Sequence, residues 1–247
     1  ISNELISYLN DYLLKLNNPF KQDITIRLFD ANRYNLKSNV TVGESHYLIC
    51  KTDNTKDYEL GLGYMMEHVI LDLERLDIKS VIMASTFDHA NFEKAILLNK
   101  NEIMPCVVAL GFEADVKNIK ERALRRFLHS DSRKEIVDFV SAKDLNPLEL
   151  NSDELLIFEA IRLAPSAKNI QPIRIIKDNS TYHFYLNHTK GFSNEKGDIQ
   201  KVDLGIALCH AELVSKELGY NVEYKKFDNM ENIDDSTDYQ ISIILTK

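Results

Sequence analysis

A chain of 247 residues, 44% of them hydrophobic, can fill one large core or two small ones. A formal net charge of −8 argues against nucleic acid, whose phosphates call for a basic surface, but it allows a local cationic pocket for a small phosphorylated ligand. No apolar run approaches the ~18–20 residues that span a bilayer, so no membrane partner is expected.

The opening segment, ISNELISYLNDYLLKL, sets acids and Asn into an apolar pattern and reads as an amphipathic helix over Ser2–Leu16, unlike a signal peptide. Short β-type runs follow at Ile24–Leu28 and His46–Cys50. A helix over Leu62–Leu76 comes next, with Met66, Val69, Ile70, Leu73 and Leu76 in a core-facing stripe. Ser80–Met83 reads as a strand, Phe92–Leu98 as a helix and Pro105–Leu110 as a strand. The charged stretch Glu113–Lys134 contains a helical pattern over Ile119–Leu128. Asn151 and Glu154 form a capping box ahead of a helix over Asp153–Leu163, and Pro165 ends it. Ile173–Lys177 and Tyr182–Asn187 flank the turn residues Asp178-Asn179-Ser180 and read as a hairpin. A helix over Asp203–Leu218, a polar exposed loop and a last strand over Tyr239–Thr246 complete the chain.

The order repeats. ITIRL, HYLIC, the helix GYMMEHVILDLERL, SVIM and PCVVALG are answered by IRIIK, YHFYLN, the helix GIALCHAELVSKEL, NVEY and QISIILT. Within the two helices Gly63 matches Gly205, His68 matches His210, Leu71 matches Leu213 and Leu76 matches Leu218, all at one offset. Two copies of a β-β-α-β-β unit are expected, at residues 1–130 and 131–247. The charged join suits intimate packing better than two beads on a string.

Cys50, Cys106 and Cys209 are far apart, each in an apolar run, with no CxxC and no Cys/His cluster. Buried free thiols in a reducing, cytoplasmic chain are expected, with no metal. His68 and His210 lack metal-ligand spacing and read as structural. ENIDDSTD lacks the central Gly of a calcium loop. GLGYM follows no strand, and Ser166 has no nucleophile-elbow glycines.

The most specific feature is the loop Ala164-Pro165-Ser166-Ala167-Lys168-Asn169-Ile170-Gln171-Pro172. Between two prolines it offers a hydroxyl, an ammonium and two carboxamides, and carboxamides pair with rings that alternate C=O and N–H. By composition alone it also reads as an ordinary helix-to-strand loop.

This loop resembles the A-P-S-[SA]-x-N-x-Q-P-[W] signature of the FMN-dependent nitroreductase-like family, with Ile173 in place of the aromatic. DLGIALCHAELVSKELGY and SVIMASTFDHANF are similar to the branch of that family, labelled TM nitroreductases, in which two domain copies are fused. The resemblance covers about Glu59 to Tyr220. It implies an α+β sandwich whose two diverged copies form an intramolecular pseudo-dimer, an arrangement compatible with a monomer. It also implies FMN as cofactor, NAD(P)H as co-substrate and a small-molecule electron acceptor such as a nitroaromatic or quinone. Carried over by position, Pro165, Ser166, Ala167, Asn169 and Gln171 become flavin contacts. Arg133, with Lys134 beside it, resembles the basic residue that holds the phosphate, although Arg133 reads equally as a solvated charge at a helix start. Ser85, Thr86 and Phe87 resemble a loop whose backbone lies near the flavin ring. No catalytic acid or base is named, because the cofactor carries the chemistry.

The pattern departs from the family twice. The sequence starts at Ile1, beyond the arginine segment that usually opens the family domain: either that segment lies upstream of Ile1 or the protein lacks it. The first copy has KLNNPFKQDI where the second has its PSAKN loop, so at most one complete flavin site is expected per chain. An alternative reading is a flavin-binding or regulatory protein without turnover, or a member that has lost FMN.

Overall fold

The structure is a computed structural model that describes residues 1–41, 43–54, 58–84, 86–112, 132–194 and 197–247. The chain divides into two compact units, Ile1–Lys117 and Asn118–Lys247. The expected helix over 119–128, and the boundary expected after residue 130, lie outside the described residues.

In the first unit, α1 (Asn3–Lys15) starts where the Ser2 hydroxyl accepts from Leu5 N. Strands β1 (Ile24–Asp30) and β2 (His46–Asp53) pair antiparallel. Helix α2 (Tyr58–Arg75), β3 (Lys79–Met83), α3 (His89–Ile96), β4 (Glu102–Ile103) and β5 (Val107–Gly111) follow. The sheet order is β1-β2-β5-β3, with β4 also on β2, and every pairing is antiparallel. Both faces of β2 are covered, which is why HYLIC reads as continuous apolar sequence and not as an alternation. On one face Phe29, Tyr47, Ile49, Phe92, Val107 and Ala109 form a core cluster. Toward α2, the Sγ of buried Cys106 donates to Met66 Sδ at 3.1 Å.

The second unit begins with a 3₁₀ turn at Ile136–Asp138 and β6 (Val140–Ala142). Helix α4 (Ser152–Leu163) carries the expected capping box: Glu154 N donates to Asn151 Oδ1 and Asn151 N to Glu154 Oε2, both at 2.9 Å. Strands β7 (Ile173–Asp178) and β8 (Thr181–Asn187) form the hairpin, with Asn179 at φ 54° in its turn. Two short strands, β9 (Ser193–Asn194) and β10 (Gly197–Asp198), lead into α5 (Ile199–Glu217), β11 (Asn221–Lys225) and β12 (Thr237–Thr246). The order is β11-β12-β8-β7-β6, with only β6 parallel to its neighbour. Phe158 of α4 packs on Tyr182 at 5.5 Å between ring centroids, over one face of the sheet. On the other face His183, Tyr185, Tyr239 and Ser242 meet Phe227 from the polar segment before β12.

The units share a topology. In each, four strands are ordered first-second-fourth-third, and the long helix connects the second to the third. The strand β6 was not expected from sequence: three residues, Val-Ser-Ala, are too few to show a period. The helix expected over Phe92–Leu98 is displaced to His89–Ile96, because Leu97 turns left-handed at φ 56° and ends it.

Candidate cofactor-binding site

The loop that follows α4 is shaped by its own residues first. Ala164 is extended at ψ 132° ahead of Pro165, which stops the helix. After extended Ser166, residues Ala167–Asn169 make one 3₁₀ turn. Lys168, Asn169 and Gln171 stand in the left-handed region at φ 51°, 56° and 53°. That conformation is unfavourable by roughly 1–2 kcal/mol for each residue with a Cβ, so other contacts must hold the loop.

Three sets of contacts do so. Inside the loop, Gln171 N donates to Ser166 Oγ at 2.9 Å. Second, the segment 132–134 is clipped to it. Arg133 Nη1 donates to Asn169 Oδ1 (3.2 Å), and Asn169 Nδ2 donates to Ser132 O (3.0 Å). Lys134 N donates to Gln171 Oε1 (2.8 Å), and Lys134 Nζ donates to Gln171 O (3.2 Å). Third, Asp203 of α5 accepts Ala167 N on both carboxylate oxygens, at 3.0 and 3.1 Å.

The electrostatics follow from burial. Desolvation, reinforced by nearby Arg174, pulls the half-buried Lys134 ammonium below the ordinary lysine range, with Asp138 opposing. Burial also lowers Arg174, whose Nη1 donates to Gln171 O and Ile173 O. Asp203 is only 4% exposed, and its carboxyl is pushed up to about 8, mainly by burial and less by the charge of Asp198, while the Ala167 N–H acts the other way. Beside the loop, Lys134, Ile161, Pro165, Ser166, Gln171 and Pro172 line a shallow hollow. Lys168 Nζ stands 5.3 Å over the ring of Phe192.

Arg133, Lys134, Ser166, Ala167, Asn169 and Gln171 are thus one bonded cluster, with Pro165 at its edge. The other expected loop belongs to the first unit. Ser85 lies outside the described residues; Thr86 O accepts from Asn39 N at 2.9 Å; Phe87 is buried in the core cluster, 4.9 Å from Phe92. The first unit's counterpart of the PSAKN loop, before β1, docks differently. Gln22 N donates to Asn18 Oδ1 at 3.1 Å, and Gln22 Oε1 accepts from Gly61 N of α2 at 2.7 Å.

A family model described as "Putative TM nitroreductase" matches residues 1–215. The chain belongs to this nitroreductase family. Among solved structures, a "putative nitroreductase" from Thermotoga maritima MSB8 is similar at 20% identity and TM-score 0.60, covering 97% of this chain and 84% of that one. A second "putative nitroreductase", from Anabaena variabilis ATCC 29413, is similar at 10% identity and TM-score 0.53, covering 82% of this chain and 69% of the other. At those identities the likeness establishes the α+β nitroreductase fold. No curated protein matches.

Ser132, Arg174 and Asp203 were not legible in the sequence as members of this cluster. Only Asp203 carried a signal, a carboxylate at the head of the apolar run LGIALC. No described helix is long and apolar enough to cross a membrane, and no group of three or more His, Cys, Asp or Glu among the described residues could hold a metal. Cys50, Cys106 and Cys209 are buried and form no disulfide.

Proposed function

We propose that the protein is an FMN-dependent NAD(P)H oxidoreductase that reduces a nitroaromatic, quinone or similar small acceptor. The observation that carries this reading is the bonded cluster of the PSAKN loop with Arg133 and Lys134, in a chain of nitroreductase family and fold. The donor chemistry fits such a cofactor. Arg133 and Lys134 bring two cations suited to a phosphate, and Ser166, after accepting from Gln171 N, retains a hydroxyl hydrogen to donate. The left-handed turn fixes the direction of the loop's backbone N–H groups.

When bound, FMN would supply hydride chemistry, accepting from a nicotinamide and passing two electrons to the acceptor. The chain's own residues bind and orient. Arg133 and Lys134 would offset phosphate charge, and Ser166, Ala167 and Asn169 would fix the ring edge. Pro165 and Pro172 limit the freedom of the loop before anything binds. No side chain is assigned a proton-transfer role.

We further propose that the shared strand order reflects internal duplication, and that the two units pack as a pseudo-dimer. Distances between spin labels on α2 and α5 in solution would test this, and a broad, long distribution would overturn it. A second reading, a member that has lost flavin, is favoured by one observation: the Asn169 and Gln171 carboxamides already bond to the protein itself. One experiment separates the two readings. Protein purified and titrated with FMN should take up flavin and oxidise NAD(P)H; colourless protein that quenches no added flavin would defeat the oxidoreductase reading.

A further inference from the structure

Asp203 is an ionisable group in an awkward place. It lies on a stretch of α5 where Val202 to Cys209 are all buried, and among the described residues Ala167 N is its one hydrogen-bond partner. Burying a carboxyl group is unfavourable unless hydrogen bonds compensate it, and here the Ala167 N–H supplies that compensation. The loop it touches contains three non-glycine residues in the left-handed region, so its shape depends on anchors. Two of the three anchors come from the loop itself and from segment 132–134, which adjoins it. Asp203 is the one supplied by a helix of the core.

The first unit shows what happens without it. At the offset that matches Gly63 with Gly205 and His68 with His210, the position of Asp203 is held by Gly61. There the polarity of the contact is reversed. The loop's Gln22 side chain reaches the helix backbone N–H, and a Cβ on Gly61 would stand 2.3 Å from Gln22 Oε1. A side chain from the helix thus holds the backbone of one loop, whereas a side chain from the other loop seals it onto the helix.

We infer that Asp203 is a positioning residue: it presets the 165–172 loop for its ligand by fixing the Ala167 N–H. The identity of that ligand as flavin rests on the proposed function; the fixing of the loop does not.

Amide hydrogen exchange on the full, unliganded chain tests the inference, comparing wild type with Asp203→Asn and Asp203→Ala. Exchange at Ala167 and its loop neighbours should quicken at least tenfold in Asp203→Ala and less in Asp203→Asn, which keeps one acceptor oxygen, while β8 exchanges as before. FMN titration by fluorescence should show affinity falling about tenfold in Asp203→Ala, with partial rescue by Asn. Unchanged exchange at Ala167 in both variants would overturn the inference. So would loss of protection spread across α5 and the sheet, or failure of both variants to fold, since either makes Asp203 a general support of the fold. If wild type binds no FMN, the flavin reading falls, and the exchange comparison still decides the role of Asp203.

Discussion

At the scale of single residues, the carboxamides and the buried carboxylate make different predictions. Asn169 braces Ser132 and Arg133, so Asn169→Ala removes partners from a cation and a carbonyl at the proposed site. A hydrogen bond to a charged or buried group contributes about 1–3 kcal/mol, so FMN affinity should drop roughly five- to 150-fold. Lys168→Ala, at the position the family pattern leaves free, should change it far less. Flavin fluorescence at fixed salt reads both, and equal affinity of wild type and Asn169→Ala would return the loop to a structural role. Asp203 carries a pH dependence of its own. Its carboxyl is raised from 3.8 to about 8, so the folded chain keeps a proton that the unfolded chain has lost. The contribution of Asp203 to stability therefore declines as pH rises from about 4 to about 8, by an amount on the order of a few kcal/mol, and levels off above. Asp203→Asn should flatten that decline in urea melts at pH 5, 7 and 9. Parallel pH profiles would show that another group is responsible.

At the scale of elements, α2 and α5 are buried over successive residues, 61–67 and 202–209, so neither has a wide polar face. Gly61 in α2 tests how tightly the first unit's loop is sealed. Alanine there should gain about 1 kcal/mol of helix propensity. Against that stand the Gly61–Gln22 hydrogen bond, about 1 kcal/mol, and overpacking against Gln22 and Asn18, about 1–3 kcal/mol. Gly61→Ala should thus be destabilising, and adding Gln22→Ala should recover much of the loss. Denaturant midpoints for the four members of the cycle measure the coupling; simple additivity would mean the two residues do not press on each other. The longer strands and most helices were readable from period and turn residues: β7 and β8 meet at Asn179-Ser180, and α4 begins at its capping box. β4, β6, β9 and β10 were not, since strands of two or three residues take their structure from the strand they pair with and not from a pattern of their own.

At the scale of the molecule, the two units share a strand order but not a loop. The second has the PSAKN turn anchored by Asp203, and the first has Gln22 and Asn18 closing on Gly61. Flavin bound by the full chain should therefore saturate near one FMN per chain. Saturation near two, by absorbance after desalting or by titration, would show that the first unit's loop also serves.

What the sequence determined by itself was local or repeated: the capping box, the proline stop, the hairpin turn, the long apolar helices, the doubled element order and the loop signature. The local ones depend on residues within a few positions of each other, where backbone sterics and hydrogen bonding act directly, and the doubled order shows by comparing one half of the chain with the other. Tertiary structure decided which groups bond to the loop. Arg133 and Asp203 meet it across 36 positions on either side, and Lys134 across 37. A contact at that separation exists only after the sheet and α5 have packed, because packing, and not spacing in the chain, brings those backbones together.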